Sequence, residues 1–332
     1  MRLLIIGGTR FVGRHIVEAA LAHGHEVTLF HRGQTNAELF PQVEHLIGNR
    51  DGDLAPLRDR AWEAVIDTCG YVPRIVRQSA AALAAAVAHY TFISSISVYA
   101  EDAPAGMDED APVATIADET REDITNESYG ALKVLCEKVV QQVYADRALI
   151  IRPGLIVGPH DHTDRFTYWP YRIAQGGEVL APGNPDQAAQ FIDARDLGEW
   201  IVRAVEAKLS GTFNATGPDY RLSMRHFLET CAAVAQSGAH LTWVAEEFLL
   251  NAQVAPWSDL PLWVEAKDAK FDTVNNERAI KAGLIYRSIT ATIKDTLAWS
   301  NSRPIDHAWR AGLTFDRERE VLAAWHAQSS AV

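Results

Sequence analysis

The first 95 residues alternate short apolar runs with longer amphipathic stretches. The runs at 3–6, 26–31, 43–46, 64–67 and 90–94 have the length and composition of buried strands, and the stretches 11–23 and 73–89 have a helical period. A helix over 127–144 and a strand over 148–152 continue the alternation. Because strands joined by helices pair in parallel, the pattern predicts an α/β fold, a Rossmann-type doubly wound parallel sheet.

Beyond residue 155 the alternation loosens. The segment 100–125 is rich in Asp, Glu, Pro and Ala and predicts a long loop, whereas 195–207 is again helical and 212–215 is strand-like. We therefore expect a dinucleotide-binding domain over 1–155, to which 190–217 returns. Residues 156–189 and 218–332 are expected to form a smaller, interleaved substrate-binding lobe.

Composition narrows the class of protein. The 332 residues are 48% hydrophobic and 22% charged, which is typical of a globular chain. No apolar run approaches the ~18 residues of a membrane span, no secretory signal is visible, and three cysteines are too few for a disulfide framework. The sequence predicts a cytoplasmic protein that does not bind membranes, and its net charge of −12 disfavours nucleic acid as a partner.

A glycine-rich turn follows the first predicted strand and opens the first helix. Its sequence is Gly7-Gly8-Thr9-Arg10-Phe11-Val12-Gly13. Glycines let backbone N–H groups approach a pyrophosphate, and the helix N-terminus adds a favourable dipole. The position predicts a dinucleotide site, with contacts from Gly7, Thr9, Arg10, Phe11, Val12 and Gly13.

The end of the second predicted strand bears on which dinucleotide binds. NAD-binding folds usually place an acid here for the ribose 2′-hydroxyl, but this strand ends His31-Arg32-Gly33. A guanidinium suits a 2′-phosphate, so the sequence favours NADP over NAD. His31 and Arg32 are the predicted contacts.

Tyr129 and Lys133 are four residues apart in the predicted helix 127–144 and therefore lie on one face. A neighbouring ammonium lowers the pKa of a phenol and makes it a better acid and base near neutral pH. Ser95, at the end of the strand over 90–94, offers a hydroxyl to a substrate oxygen.

The glycine turn, the strand-end serines and the Tyr129-x-x-x-Lys133 motif, in this order, resemble the extended short-chain dehydrogenases/reductases, specifically the NAD-dependent epimerase/dehydratase family. Arg152-Pro153, Gly158-Pro159 and Phe191-Ile192-Asp193 extend the similarity over nearly the whole chain. The resemblance implies that Ser95 polarises the substrate oxygen, Tyr129 is the general acid and base, and Lys133 holds the nicotinamide ribose. It also implies a homodimer and further cofactor contacts from Asn49, Arg50, Cys69, Gly70, Tyr129, Lys133 and Pro153.

Departures from the family pattern concern the substrate. Dehydratases carry an Asp-Glu pair where this chain has Ile96-Ser97, so dehydration is not expected. Leu155 and Ala189 stand where sugar-nucleotide epimerases anchor a diphosphate, which disfavours such substrates. Candidate substrate contacts are Ser97, His160, Arg165, Trp169 and Arg195. No metal site is expected, because His160-Asp161-His162 lies in a loop without a helical ligand spacing.

Three functions remain open at this point. The first is an NADP- or NAD-dependent oxidoreductase acting on a secondary alcohol or ketone of a small molecule. The second is a sugar or sugar-nucleotide epimerase that retains its cofactor and uses the same oxidation transiently. The third, suggested by the Gly-Gly-Thr-Arg-Phe variant of the turn, is a non-catalytic nucleotide- or RNA-binding relative.

Overall fold

A computed structural model of the chain describes residues 1–329. The strands are β1 (Arg2–Ile6), β2 (Glu26–His31), β3 (Glu44–Ile47), β4 (Trp62–Asp67), β5 (Val87–Ile93), β6 (Ala148–Pro153), β7 (Leu155–Val157), β8 (Glu178–Pro182), β9 (Phe191–Asp193), β10 (Gly211–Ala215) and β11 (His240–Val244). The α-helices are α1 (Phe11–Ala22), α2 (Pro73–Leu83), α3 (Asn126–Tyr144), α4 (Tyr168–Ala174), α5 (Ala194–Glu206), α6 (Met224–Ala235), α7 (Glu246–Asn251), α8 (Glu277–Lys281), α9 (Ile289–Asn301) and α10 (Phe315–Ser329).

A seven-stranded parallel sheet in the order β10-β6-β5-β4-β1-β2-β3 forms the centre of the fold. The predicted Rossmann-type sheet is therefore confirmed. β1 pairs with β2 on one side and β4 on the other, so the strand order reverses between β1 and β4. In such sheets the crevice at the carboxyl ends of the strands, beside this reversal, is where ligands bind.

The central strands are apolar because helices cover both faces of the sheet. Leu3, Leu4, Ile5 and Ile6 of β1 are all buried. One face packs a cluster that includes Val76 of α2. On α5 a Cβ at Gly198 would lie 3.0 Å from the carbonyl oxygen of His15, so this glycine lets α5 approach the backbone of α1 closely.

One predicted helix is too long. The stretch 73–89 predicts a single helix, but α2 ends at Leu83, where Ala86 N donates to Leu83 O in a turn. Val87 then begins β5 and pairs with Trp62 of β4. Pairing within the central sheet overrides the helical propensity of the alanine-rich sequence.

The chain divides into two compact units. Unit 1 contains residues 1–156, 194–219 and 274–285, and unit 2 contains 157–193, 220–273 and the residues from 286 onward. The sequence-based boundaries assign 274–285 to the second lobe, whereas the structure places this segment in unit 1. Asn214 Nδ2 donates to Asn275 O at 3.0 Å, and Arg278 pairs with Glu109 at 3.3 Å, which explains the difference.

Unit 2 has its own apolar core and its own small sheet. β8 and β11 pair in parallel. The rings of Phe166, Phe191 and Phe227 pack against one another in the core of this unit. Arg172 forms a buried ion pair with Glu318, which secures α10 to this unit. Among residues 1–329, no helix combines the length and apolar character needed to cross a lipid bilayer.

Candidate active site

The glycine-rich turn leaves β1 through two residues in the left-handed region, with φ of +98° at Gly7 and +93° at Gly8. A Cβ at Gly7 would lie 2.4 Å from Thr68 Oγ1, and one at Gly13 would lie 2.9 Å from Gly8 N. Side chains at these positions would fill the turn. The backbone cradle at the start of α1 therefore fits a pyrophosphate, which is the group that the sequence places here.

Arg10 and Arg32 are exposed on the two loops that follow β1 and β2. Asn36 Nδ2 donates to Thr9 O at 2.9 Å and so ties the loop after β2 to the glycine turn. The other predicted contacts of the turn, Phe11 and Val12, are half-buried at the first positions of α1. Both arginines are therefore accessible to solvent, on the two loops that Asn36 ties together.

His31 stands at the end of β2 in a directed chain of hydrogen bonds. Gly33 N donates to His31 Nδ1 at 3.0 Å, so His31 Nε2 carries the proton and donates to His45 Nδ1 at 2.8 Å. His45 Nε2 then donates to Phe40 O at 3.1 Å. Burial and the neighbouring His45 lower the pKa of His31, which favours its neutral form, and the hydrogen-bonded chain braces the turn that carries Arg32.

Arg50 has a different environment from the one expected of a cofactor contact. Its guanidinium donates to both carboxylate oxygens of Asp67, at 2.8 and 2.7 Å, and to Ser79 Oγ at 2.7 Å. The guanidinium is paired inside unit 1, because the buried carboxylate at the end of β4 is stable only beside a positive charge. Arg50 therefore has a structural role with Asp67, its cofactor contact stays a prediction, and Asn49 beside it is exposed.

Cys69 and Gly70 follow β4 at the carboxyl edge of the sheet. Cys69 Sγ lies 3.7 Å from Ile6 O at the end of β1, and burial raises the pKa of its thiol. A Cβ at Gly70 would lie 2.4 Å from the Phe92 ring, so the backbone passes close to that ring. Both residues therefore lie near the start of the glycine turn, at the end of the neighbouring strand.

Lys133 is buried, and its ammonium is held by backbone carbonyls. Nζ donates to Gly70 O at 2.7 Å and to Ile93 O at 2.6 Å, and lies 4.3 Å from the centre of the Phe92 ring. These contacts fix the charge between the ends of β4 and β5. Burial lowers the pKa of Lys133 to about 8.

Tyr129 lies one turn earlier on α3, half-buried, with its ring centre 6.5 Å from that of Tyr71. Gly130 sets this position. A Cβ at Gly130 would lie 2.1 Å from Ser97 O, so only glycine allows α3 to approach the turn after β5. The helix begins with a capping box in which Thr125 and Ser128 satisfy each other's backbone N–H groups.

Ser95 and Ser97 share one hydrogen-bonded turn. Ser97 N donates to Ser95 Oγ at 3.1 Å, and Ser95 Oγ donates to Ser97 Oγ at 3.0 Å. Ser95 is half-buried and Ser97 is exposed. Since Ser95 donates to Ser97, either hydroxyl of this pair is able to donate to a ligand oxygen, directly or after rotation.

The remaining predicted residue of the strand edge, Pro153, is buried at the end of β6. A Cβ at the following Gly154 would lie 2.3 Å from Thr216 Oγ1, so the chain passes very close to β10. Arg195 is half-buried in the first turn of α5. Unit 1 therefore gathers Cys69, Gly70, Ser95, Lys133 and Pro153 at the carboxyl ends of β4, β5 and β6.

Three predicted substrate contacts lie in unit 2. Arg165 Nε donates to Thr163 Oγ1 at 3.2 Å, and its guanidinium lies over Trp257. His160 is half-buried and packs edge-on against Trp299. Trp169 is fully buried and donates to Pro261 O at 2.6 Å, so this prediction is corrected: Trp169 is a core residue, because its ring fills the interior of unit 2.

Several residues that shape the site escaped the sequence analysis. Tyr71 faces Tyr129, and Lys133 Nζ lies 5.3 Å from its ring centre. Tyr71 is 43% exposed, and partial desolvation together with the nearby Tyr129 raises the pKa of its phenol to about 12. His45 and Asn36 brace the two cofactor-side loops. The sequence could have indicated Tyr71, because it directly follows Gly70, a predicted cofactor contact. The roles of Asn36 and His45 depend on the paths of loops, which the sequence does not fix.

Comparison with known proteins identifies a matching family and a sequence relative. The profile described as the NAD dependent epimerase/dehydratase family matches residues 3–72 and 75–216. The chloroplast stem-loop binding protein of 41 kDa b from Arabidopsis thaliana is 25% identical over 237 residues. That match covers 66% of this chain and 59% of the plant protein's length.

Two solved structures share the fold. The Bordetella bronchiseptica enzyme WbmH in complex with NAD+ aligns with a TM-score of 0.67 at 14% identity, covering 91% of this chain and 98% of that one. The human epimerase family protein SDR39U1 (isoform2) with NADPH aligns with a TM-score of 0.61 at 18% identity, covering 90% and 99%. At these identities the likeness shows the fold alone.

Proposed function

The chain belongs to the NAD-dependent epimerase/dehydratase family, and from that premise we propose that it is an NADP-dependent oxidoreductase that acts at a secondary alcohol or ketone carbon. The observation that carries the proposal is the position of Lys133. Its buried ammonium, held by Gly70 O and Ile93 O, lies one helical turn from Tyr129. A buried cation beside a phenol on the crevice edge of the sheet supports acid–base work rather than packing.

Residues of this chain transfer the proton that the substrate oxygen gains or loses. When bound, the nicotinamide supplies or accepts the hydride. In the reductive direction Tyr129 donates its phenolic proton to the substrate oxygen, and in the oxidative direction it accepts the hydroxyl proton. The Ser95 hydroxyl donates to the same oxygen and stabilises its developing charge. Lys133 favours the phenolate by its charge, since an opposite charge lowers the pKa of a phenol.

Binding of the cofactor is assigned to unit 1. Gly7, Gly8 and Gly13 are assigned to the pyrophosphate, and the close backbone contacts at Gly7 and Gly13, where a Cβ would clash, support this assignment. Arg32, exposed after β2 in place of an acid, supports NADP over NAD. Structures with this fold contain either NAD+ or NADPH, as the two above do, so fold alone does not select. Within unit 1, substrate recognition is assigned to Ser97 and Arg195.

The first experiment identifies any nucleotide that purifies with the protein. Freshly purified chain is denatured, and the released nucleotide is identified by mass and quantified against protein. An empty protein that then binds NADPH and reduces members of a ketone panel with net NADPH loss supports the proposal. A near-equimolar, retained nucleotide with no net redox change overturns it in favour of an epimerase that returns the hydride to the same substrate carbon.

RNA binding is not proposed, although the plant relative is named for stem-loop binding. The net charge of −12 opposes a phosphate backbone, and the Tyr129 and Lys133 pair has no use in a binding module. A gel-shift titration with structured RNA at low and high salt tests this. Salt-sensitive binding at submicromolar protein would contradict the assignment.

A further inference from the structure

Two histidines and a glutamate of unit 1 converge on one point away from the candidate active site. His23 Nδ1 lies 3.0 Å from Glu206 Oε1, and His25 Nε2 lies 2.9 Å from the same oxygen. One ligand atom from each of the three side chains lies within 4.8 Å of the other two. Among residues 1–329, this is the group of three His, Cys, Asp or Glu side chains whose ligand atoms lie this close together.

The fold builds this cluster from two packed elements. His23 follows the end of α1 and His25 precedes β2, and Gly24 between them has φ of +76°. His25 N donates to Ala20 O, which closes the turn. The reversal brings both imidazoles toward the end of α5, where Glu206 is the last residue.

Packing of α1 against α5 fixes the carboxylate opposite the histidines. Gly198 permits that approach, as its contact with the His15 backbone shows. Glu199 lies seven residues before Glu206 and therefore on the same face of α5. Glu199 Oε1 contacts His23 Nε2 at 2.9 Å and is also 3.8 Å from Arg203, so this acid is already shared with a cation. Glu206 is the carboxylate that both imidazoles face.

We propose that His23, His25 and Glu206 bind a divalent d-block cation, Zn²⁺ being the ion that best suits two imidazole nitrogens and one carboxylate oxygen. Such a set leaves a fourth tetrahedral position for water. His23 is 24% exposed and Glu206 35%, whereas His25 is 7% exposed, so the cluster opens to solvent on one side. An ion has access without any opening of the fold.

The site lies at the amino end of β2, and the glycine turn lies at the carboxyl end of β1. Because β1 and β2 are parallel, the cluster is on the opposite edge of the sheet from the cofactor cradle. The cation therefore clamps α1 and β2 to α5 and takes no part in hydride transfer. This inference is independent of the proposed function, and it replaces the sequence-based expectation of no metal.

Protons compete with the cation for the same atoms. Glu199 and Glu206 raise the pKa of His23, and the histidines lower that of Glu206. The other charged groups that face the cluster are Arg203 and the amino group of Met1, which lies 3.2 Å from His25 Nδ1. Metal uptake therefore releases the protons that the imidazoles share with these carboxylates, and it weakens in acid because a histidine must be neutral to bind a cation.

The test is a calorimetric titration of the EDTA-treated full chain with ZnCl₂ alone, at pH 7.5 and pH 5.5. We expect one equivalent of Zn²⁺ at pH 7.5, with affinity at least tenfold weaker at pH 5.5. His25→Gln and His23→Gln each weaken binding at least tenfold. His326→Gln is the matched control: His326 pairs with Glu178 in unit 2 and is not part of the cluster, so this variant leaves binding unchanged.

A thermal melt of each variant without metal separates loss of the site from loss of the fold. Zn²⁺ raises the melting temperature of the wild-type chain and of His326→Gln, but not that of His25→Gln. Glu206→Gln loses the site and Glu199→Gln keeps it. Absence of a stoichiometric Zn²⁺ site, or an unchanged site in both histidine variants, overturns the proposal; retention of the site in Glu206→Gln overturns the ligand set.

Discussion

Arg50 Nη1 and Nη2 donate to the two carboxylate oxygens of Asp67, at 2.8 and 2.7 Å, inside unit 1. Tyr90 Oη donates to the same carboxylate at 2.8 Å, so the buried charge is fully partnered. Arg50 lowers the pKa of Asp67 against the opposing effect of burial. The pair anchors the loop after β3 beneath the end of β4, from which Cys69 and Gly70 reach the candidate active site.

Removing one member of this pair is expected to destabilise the fold strongly. Asp67→Asn leaves the Arg50 charge buried and incompletely paired, which costs about 3–5 kcal/mol of unfolding free energy. Urea denaturation measures the loss. The control is Arg60→Ala, which breaks the exposed pair with Glu44 and costs about 1 kcal/mol or less. Equal losses in the two variants would show that the buried pair is not a special anchor.

Tyr129→Phe removes the proposed acid and base and retains the ring. We expect kcat to fall by about 10²–10⁴-fold, because proton transfer by a positioned side chain contributes this much. NADPH affinity, measured by fluorescence titration, stays within about twofold, since the glycine turn and Arg32, to which most of the cofactor binding is assigned, are unchanged. Tyr144→Phe is the control on the same helix, because Tyr144 Oη donates to Ala80 O far from the crevice edge. Full turnover by Tyr129→Phe would refute the assigned role.

The low pKa of Lys133 predicts how stability changes with pH. The pKa is about 8 in the folded chain, against 10.5 for the free side chain, so between these values the unfolded chain binds more protons. Unfolding free energy therefore rises with pH in this window. Relative to Lys133→Met, the wild-type chain should gain about 1.5 kcal/mol between pH 8 and pH 9.5, because the slope rises from half of ~1.4 kcal/mol per pH unit at pH 8 to nearly its full value. Parallel pH profiles for the two chains would show that the ammonium is not the cause.

Arg32 is expected to decide between the two dinucleotides. Arg32→Asp removes the guanidinium proposed for the 2′-phosphate and supplies an acceptor for a 2′-hydroxyl. The ratio of NADPH to NADH affinity should fall by tenfold or more, which corresponds to about 1.4 kcal/mol. Arg58→Asp, at another exposed arginine of unit 1, makes the same change of charge and should leave the ratio unchanged. Wild-type protein that binds NADH as tightly as NADPH would end the NADP assignment.

Gly130→Ala tests the close approach of α3 to the Ser97 turn. Helix propensity alone makes alanine more stable than glycine by about 1 kcal/mol. The added Cβ, however, would lie 2.1 Å from Ser97 O, and a backbone oxygen cannot retreat without moving the turn. We expect net destabilisation by denaturation and reduced turnover. A stabilised variant with full activity would contradict this geometry.

The alternation of apolar runs and amphipathic stretches determined the parallel sheet, because only strands buried on both faces are apolar throughout. The glycine turn, Ser95 and the Tyr129 and Lys133 pair were also readable, since each needs a particular residue type at a fixed spacing. These features depend on residue types at short, fixed spacings, which are visible in the sequence itself. The short form of α2 was not readable, because pairing of Val87 with Trp62 joins residues 25 apart.

Only the tertiary structure decided which side chains are buried and which charged groups pair with each other inside the fold. Sequence placed Arg50 beside a nucleotide, but Asp67 takes its guanidinium, and Trp169 fills the interior of unit 2. His23, His25 and Glu206 come together only because α1 packs on α5, across some 180 residues of chain. Which distant polar side chains pair depends on how the helices and strands pack. A single sequence does not show these pairs, because they form only when the chain folds.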